Sequence, residues 1–184
     1  MNATYLTRFM QPDFETLLVV GEKEDHAEQI YSSPQWPDEP LFYLSVSSVT
    51  DPATAPEGCE NLVLLIPVAS GLEDDNEALR QQYLDKVILR LEKHTGQNIA
   101  DSVVFKKSFS VSDFIKDYNA YKGNAYGLAN VLSQTAILKP SCVSKKVKNL
   151  FYTGQFTVPG PGVPPSLISG EVVSNQVLKS FRGK

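Results

Sequence analysis

The sequence predicts an α+β fold, a mixed or antiparallel sheet with packed helices, and three observations carry that expectation. Runs of β-branched, aromatic and aliphatic residues at 41–49, 61–68 and 102–110 have the length of strands and are bounded by turn residues. A long segment, 74–95, repeats its apolar residues with helical spacing: Leu84, Val87, Ile88 and Leu91 fall at i, i+3, i+4 and i+7. A second amphipathic pattern leaves a loop rich in proline and glycine and runs to Phe181. With 184 residues, 42% of them hydrophobic and 21% charged, the chain can bury a substantial core.

In chain order, residues 14–20 suggest a strand and 24–31 a short helix, before SSPQWPDEP, with three prolines, breaks any regular element. The strand at 41–49 (LFYLSVSSV) leads through the turn-rich TDPATAPEG to 61–68, whose continuous apolar character suits a covered strand expected to pair with it. For the helix at 74–95, Glu73, Asp74, Asp75 and Glu77 complement the positive end of the dipole, Lys93 and His94 the negative end, and Gly96 supplies a stop. The acidic cluster is thereby read as capping and not as a metal site, and His94 as a helix-end residue; His26 has no partner motif. The run SVVFKKSFS at 102–110 alternates, placing Val103, Phe105 and Phe109 on one side. Residues 112–118 then read as helical turns with Ser112 as N-cap. Asp113 and Asp117 have the chemistry of a general base, though capping and solvation account for both.

Composition narrows the function classes. The longest apolar run, 62–69, is interrupted by Pro67 and is far short of the ~20 residues a spanning helix needs, so no transmembrane anchor is expected. The first residues lack the pattern of a secretory signal, and Cys59 and Cys142 are too few and too separated for a disulfide framework or a zinc site, so a reduced, cytoplasmic setting is expected. Charge is unevenly placed: residues 1–100 hold 6 Lys/Arg against 17 Asp/Glu, whereas 101–184 hold 11 against 4. The basic half has the sign to steer an anionic cofactor or meet a membrane surface, while Lys145, Lys146 and Lys148 equally suit a solvated loop. No nucleic-acid motif accompanies them.

The chemistry concentrates near the C-terminus. A short apolar strand at 149–153 ends at Gly154, and GQFTVPGPGVPPSLISG then places four prolines and four glycines in 17 residues before the last helix. Prolines stiffen such a loop and glycines let a ligand approach its backbone. Ser166, Gly170 and Ser174 recur every fourth residue, leaving a groove of small residues on one side of the helix. A helix N-terminus favours a phosphate or the electron-rich edge of a flavin; a plain strand-to-helix turn without a ligand has the same local pattern.

Residues 152–173 (YTGQFTVPGPGVPPSLISGEVV) resemble the C-terminal flavin-binding signature of bacterial-type phytoene desaturases and related carotenoid desaturases and isomerases, close to G-x-x-T-x-P-G-x-G-[IV]-P. The likeness extends upstream, through FYLSVSSVTDPATAPEGCENLVLLIPV and DFIKDYNAYKGNAYGLANVLSQTAILKP, so it spans about residues 41–184. It implies that 1–140 is part of a substrate-binding domain and that 141–184 is the C-terminal piece of an FAD-binding, Rossmann-like domain, contributing its last strand and helix. It further implies that Gly154 ends that strand, that Thr157, Pro159, Gly160 and Gly162 form the loop under the isoalloxazine, and that Val163 and Pro164 lead into the helix facing the ring. Gln155 departs from the acidic residue that many related flavoproteins carry there. Residues 121–128 (YKGNAYGL) and Gln134 would lie near the substrate or flavin.

The reaction implied is hydride transfer from a long isoprenoid polyene to FAD, with no catalytic residue assigned in this chain and with peripheral membrane contact following from so apolar a substrate. The family's opening G-x-G-x-x-G is not in the sequence; the nearest cluster, Gly123-Asn-Ala-Tyr-Gly127, has the wrong spacing. The resemblance therefore implies a C-terminal fragment, from a truncated or split reading frame, that retains FAD poorly by itself. A stand-alone isoprenoid-binding module without redox chemistry is the alternative, and a flavin amine-oxidase-like enzyme a third reading. The apolar edge of a strand at 149–153 leads to the expectation of a homodimer.

Overall fold

The computed structural model describes residues 2–7, 18–19, 23–128, 134 and 138–182. The chain divides into two compact units, Met1–Asn124 and Ala125–Lys184.

The first unit is built on a five-stranded antiparallel sheet. Its strands are β1 (Asn2–Thr7), β2 (Leu18–Val19), β3 (Phe42–Val46), β4 (Glu60–Leu65) and β5 (Val103–Phe109), in the order β2-β3-β4-β1-β5. The expected pairing of the two apolar runs is found, with Tyr43 opposite Leu65 and Val46 opposite Leu62. β1, which the sequence reading did not anticipate, lies between β4 and β5, pairing Thr4 with Val63 on one side and with Lys107 on the other. Of the strand expected at 14–20, Leu18–Val19 is found at the sheet edge against Tyr43 and Phe42, and 14–17 and 20 lie outside the described residues.

Among the described residues, the helices of this unit are α1 (Lys23–Tyr31), α3 (Glu77–Thr95) and α4 (Val111–Tyr118), with a short turn, α2 (Ser47–Thr50), directly after β3. β3 therefore stops earlier than its β-branched tail suggests. The four apolar residues read from the helical period of α3 are all buried, together with Tyr83, and they pack on Phe42, Leu44, Val46, Leu62 and Leu64 from alternate positions of β3 and β4, and on Ile66 just beyond β4. Sheet period and helix period thus meet in one core. The alternation read at 102–110 is not realised as burial: Phe105 is 51% exposed on the edge strand β5.

α3 starts later than predicted. Asn76 is its N-cap, accepting the Leu79 N–H at 3.0 Å, so Glu73, Asp74 and Asp75 precede the helix and Glu77 alone lies in its first turn. Gly96 closes the helix in the left-handed conformation, as read, and His94 lies exposed in its last turn. Asp75 instead meets Arg80 in a two-point ion pair, Nε–Oδ1 2.8 Å and NH2–Oδ2 2.9 Å. Arg80 also reaches Asp113 at 2.7 Å and Ser112 Oγ at 2.8 Å, tying α3 to the start of α4. Burial pushes the Asp75 carboxyl up, but hydrogen bonds from Arg80 and Ser112 outweigh it and hold the group below the usual carboxylate range.

Two further sequence assignments change. The helix α4 begins at Val111, so Ser112 is not its cap; the preceding Ser110 occupies that position, and the Asp113 carboxylate accepts the Ser110 N–H at 2.8 Å. His26, without a motif in sequence, is 2% exposed and joins two segments: Nε2 donates to the Pro67 carbonyl and Nδ1 accepts the Leu41 N–H, both at 2.8 Å. Those partners require the neutral imidazole with its proton on Nε2. No helix among the described residues is long and apolar enough to cross a membrane.

Candidate functional site

The second unit carries the proline- and glycine-rich loop. It opens with a short antiparallel turn and not with the strand expected at 149–153. A single bridge joins Val143 to Phe151, bracketed by Ser144 N–H to Leu150 O at 3.0 Å and Tyr152 N–H to Cys142 O at 2.8 Å. Asn149, at φ 63°, turns the chain between the two arms. The exposed lysines 145, 146 and 148 sit on this turn, where Ser144 Oγ accepts the N–H groups of Lys146 and Val147. An extended strand edge at 149–153, the premise for self-association, is therefore not what these residues form.

Gly154 follows at φ 101°, a conformation that L side chains rarely adopt. Its carbonyl accepts two bonds from Thr157, from the N–H at 3.1 Å and from Oγ1 at 2.9 Å, which closes a tight turn and buries Thr157. The peptide between Val158 and Pro159 is cis, and Gly160 and Gly162 take φ values of 143° and 110°. A Cβ on Gly160 would stand 3.0 Å from Lys139 Nζ, so the ammonium lies close against the loop backbone at a glycine whose φ already disfavours a side chain. Lys139 is 9% exposed, and its Nζ has no hydrogen-bond partner among the described residues.

The last helix, α5 (Val163–Arg182), starts directly from this loop, with Ser166 N–H bonded to Gly162 O at 3.0 Å. A helix N-terminus ordinarily offers four unpaired N–H groups. Pro164 and Pro165 remove two of them, so the donors left at this end belong to Gly162 and Val163.

Ser169 fixes the helix to the turn. It is fully buried, donates to the Ser166 carbonyl at 2.7 Å, and accepts the Gly154 N–H at 2.7 Å. Thr153 Oγ1 lies 2.8 Å away. A hydroxyl has one proton and two lone pairs, so with its proton on Ser166 the bond from Thr153 must be donated by Thr153, and Ser169 is saturated. The residue that seats the helix is thus Ser169, one position away from the small-residue row of Ser166, Gly170 and Ser174; Ser174 is exposed.

The seven residues expected to bind the cofactor form one continuous loop and helix start. Thr157 and Gly160 are buried within it, while Pro159, Gly162, Val163 and Pro164 face outward. Gln155 is half-buried, and its carbonyl lies where a Cβ on Gly127 would come within 3.1 Å, so Gly127 touches this loop. Gln134 is half-buried. Asp113 is engaged in capping and with Arg80, which removes it as a free base, and Asp117 is exposed. No cluster of three or more His, Cys, Asp or Glu among the described residues is placed to hold a metal ion. Two contributors escaped the sequence reading. Ser169 is singled out only by its contacts with Thr153 and Gly154 in the folded chain, and nothing in LKPS marks Lys139 as buried.

No family model matches the chain. It is 44% identical over 169 residues to the carotenoid 3,4-desaturase of Haloarcula japonica, an alignment covering 92% of this chain and 34% of that protein. It is 32% identical over 149 residues to the 4,4'-diapophytoene desaturase (4,4'-diaponeurosporene-forming) of Staphylococcus aureus strain Newman, covering 78% of this chain and 30% of the relative. The chain is therefore a partial match to the carotenoid desaturase family, as its C-terminal signature suggested. It spans about a third of the length of the curated relatives it matches.

Proposed function

We propose that this chain supplies the C-terminal part of an FAD-dependent carotenoid desaturase, an oxidoreductase that removes hydrogen from CH–CH bonds of a long isoprenoid polyene. The observation that carries the reading is the 44% identity, over nearly the whole chain, to a protein named for carotenoid 3,4-desaturation. The donor set agrees with it: a buried ammonium without a hydrogen-bond partner among the described residues and two amides at a helix start suit an electron-rich group, and glycines at 160 and 162 leave the backbone bare beside them.

In this reading Gly154, Thr157, Pro159, Gly160, Gly162, Val163 and Pro164 hold the isoalloxazine end of FAD. When bound, FAD supplies the two-electron acceptor for hydride from the polyene. The chain's own contribution is positional and electrostatic. The Gly154–Thr157 turn and Ser169 fix the loop, and the Gly162 and Val163 amides direct positive potential toward the edge where negative charge develops. No side chain of the loop is a proton acceptor, so the residues act by binding and orientation. The ADP half of the cofactor has no glycine-rich βαβ turn in this chain, so its binding falls to the two-thirds of the relatives' length that the chain does not span. The cytoplasm, with peripheral contact to the membrane that dissolves the substrate, is the setting we propose.

Co-expression with the complementary N-terminal part of the Haloarcula relative tests this. The purified complex should retain a flavin absorption band that the chain alone lacks. A well-folded complex without flavin would contradict the assignment.

A further inference from the structure

Lys139 is the group in the second unit whose chemistry is left unanswered. An ammonium carries three donors and is strongly hydrated, so burial without an acceptor is unfavourable unless a partner arrives. Here the side chain is 9% exposed and Nζ has no partner among the described residues. It points at the backbone of Gly160, 3.0 Å from where a Cβ would stand, two residues before the amides that open α5. The loop carries no carboxylate: between Gly154 and Gly170 the sequence has no Asp or Glu, and Glu171 is exposed. The loop therefore offers a cation, two N–H donors and bare backbone, and no ion pair to Lys139 is found among the described residues.

We propose that Lys139 is the cation of an anion subsite, in which Nζ and the amides of Gly162 and Val163 converge on one oxyanion of the bound cofactor. The shared chemistry is an electron-rich oxygen. Its source is a cofactor phosphate or the pyrimidine edge of the flavin ring. The proposal rests on the flavoenzyme reading for its ligand, and not for the existence of the subsite.

The test is an NMR titration of the ¹⁵N-labelled chain with inorganic phosphate, riboflavin and FMN, following the Gly160, Gly162 and Val163 amides, since weak binding is what a half-site permits. Saturable shifts with phosphate and FMN but not riboflavin identify a phosphate subsite. Equal shifts with riboflavin and FMN, and none with phosphate, identify the ring edge. In either case K139Q should weaken binding about tenfold to a hundredfold, the range for a charge-assisted hydrogen bond, while K139R retains most of it. Should K139Q not fold, as judged by circular dichroism, the decision passes to the wild-type amide shifts and to K139R. Phosphate binding without any flavin binding leaves the subsite standing and overturns the cofactor as its ligand, while the flavoenzyme reading itself stands or falls with the reconstituted complex. Flavin binding that K139Q leaves unchanged overturns the subsite alone. Amides that move with none of the three probes overturn it as well.

Discussion

Replacing Ser169 with alanine removes the one hydroxyl that joins the Gly154 turn to α5. Three bonds end on it: to the Ser166 carbonyl, from the Gly154 N–H and from Thr153 Oγ1. They do not count equally. The Thr153 side chain is at the surface and can turn to water, and the Ser166 carbonyl belongs to a helix that already uses it. The Gly154 N–H donates to a fully buried hydroxyl and has no other acceptor among the described residues. An unsatisfied buried donor costs about 1–3 kcal/mol, so S169A should lower the stability of this unit by about 2 kcal/mol. Hydrogen exchange reads this locally: the Gly154 amide should exchange about thirtyfold faster, since 1.4 kcal/mol is a factor of ten. S174A is the control, because the Ser174 hydroxyl, at the surface, bonds the Glu171 carbonyl of its own helix, and its effect should stay within about 0.5 kcal/mol. Gly154 protection unchanged in S169A would refute the claim that this hydroxyl holds the loop.

The first unit offers two independent tests by denaturant unfolding across pH. R80M leaves the Asp75 carboxylate, 4% exposed, without its counter-ion and should cost about 3 kcal/mol at neutral pH. Because Asp75 is held below the usual carboxylate range, its contribution is present above the ordinary value and lost as pH falls through the lowered one; R80M should lose that acid dependence. Tyr83 lies in the core with its hydroxyl on the Pro37 carbonyl, and burial, aided by Asp38, pushes its phenol from 10.0 up to about 12. The neutral phenol is the folded form, so stability is intact below pH 10 and declines from there to about 12; Y83F should abolish that decline and cost about 1 kcal/mol below it.

Where one period dominates, the sequence was enough. The face of α3 and the pairing of β3 with β4 follow from apolar spacing that a single register satisfies, and Gly96 marks a helix end by its own backbone freedom. What escaped depends on partners distant in sequence. β1 is a modest run, NATYLT, whose place between β4 and β5 is fixed by strands some sixty and a hundred residues on. Asp75 belonged by composition to a helix cap, yet Arg80 and Ser112 draw it into an ion pair, and Asn76 takes the cap. For 149–153, apolar content suggested a strand, but its neighbour is a turn of 142–144, enough for one bridge. The loop at 154–164 was visible because glycine and proline restrict the backbone by themselves; Lys139 was not, because burial of a lysine is a property of what surrounds it.

If these residues complete a carotenoid desaturase, as proposed, the reconstituted complex should be reduced anaerobically by a long-chain isoprenoid of few conjugated double bonds. The flavin band should bleach as the isoprenoid absorption moves to longer wavelength, one double bond for each flavin reduced. A flavin-loaded complex that stays oxidised in the presence of bound polyenes would contradict the proposal.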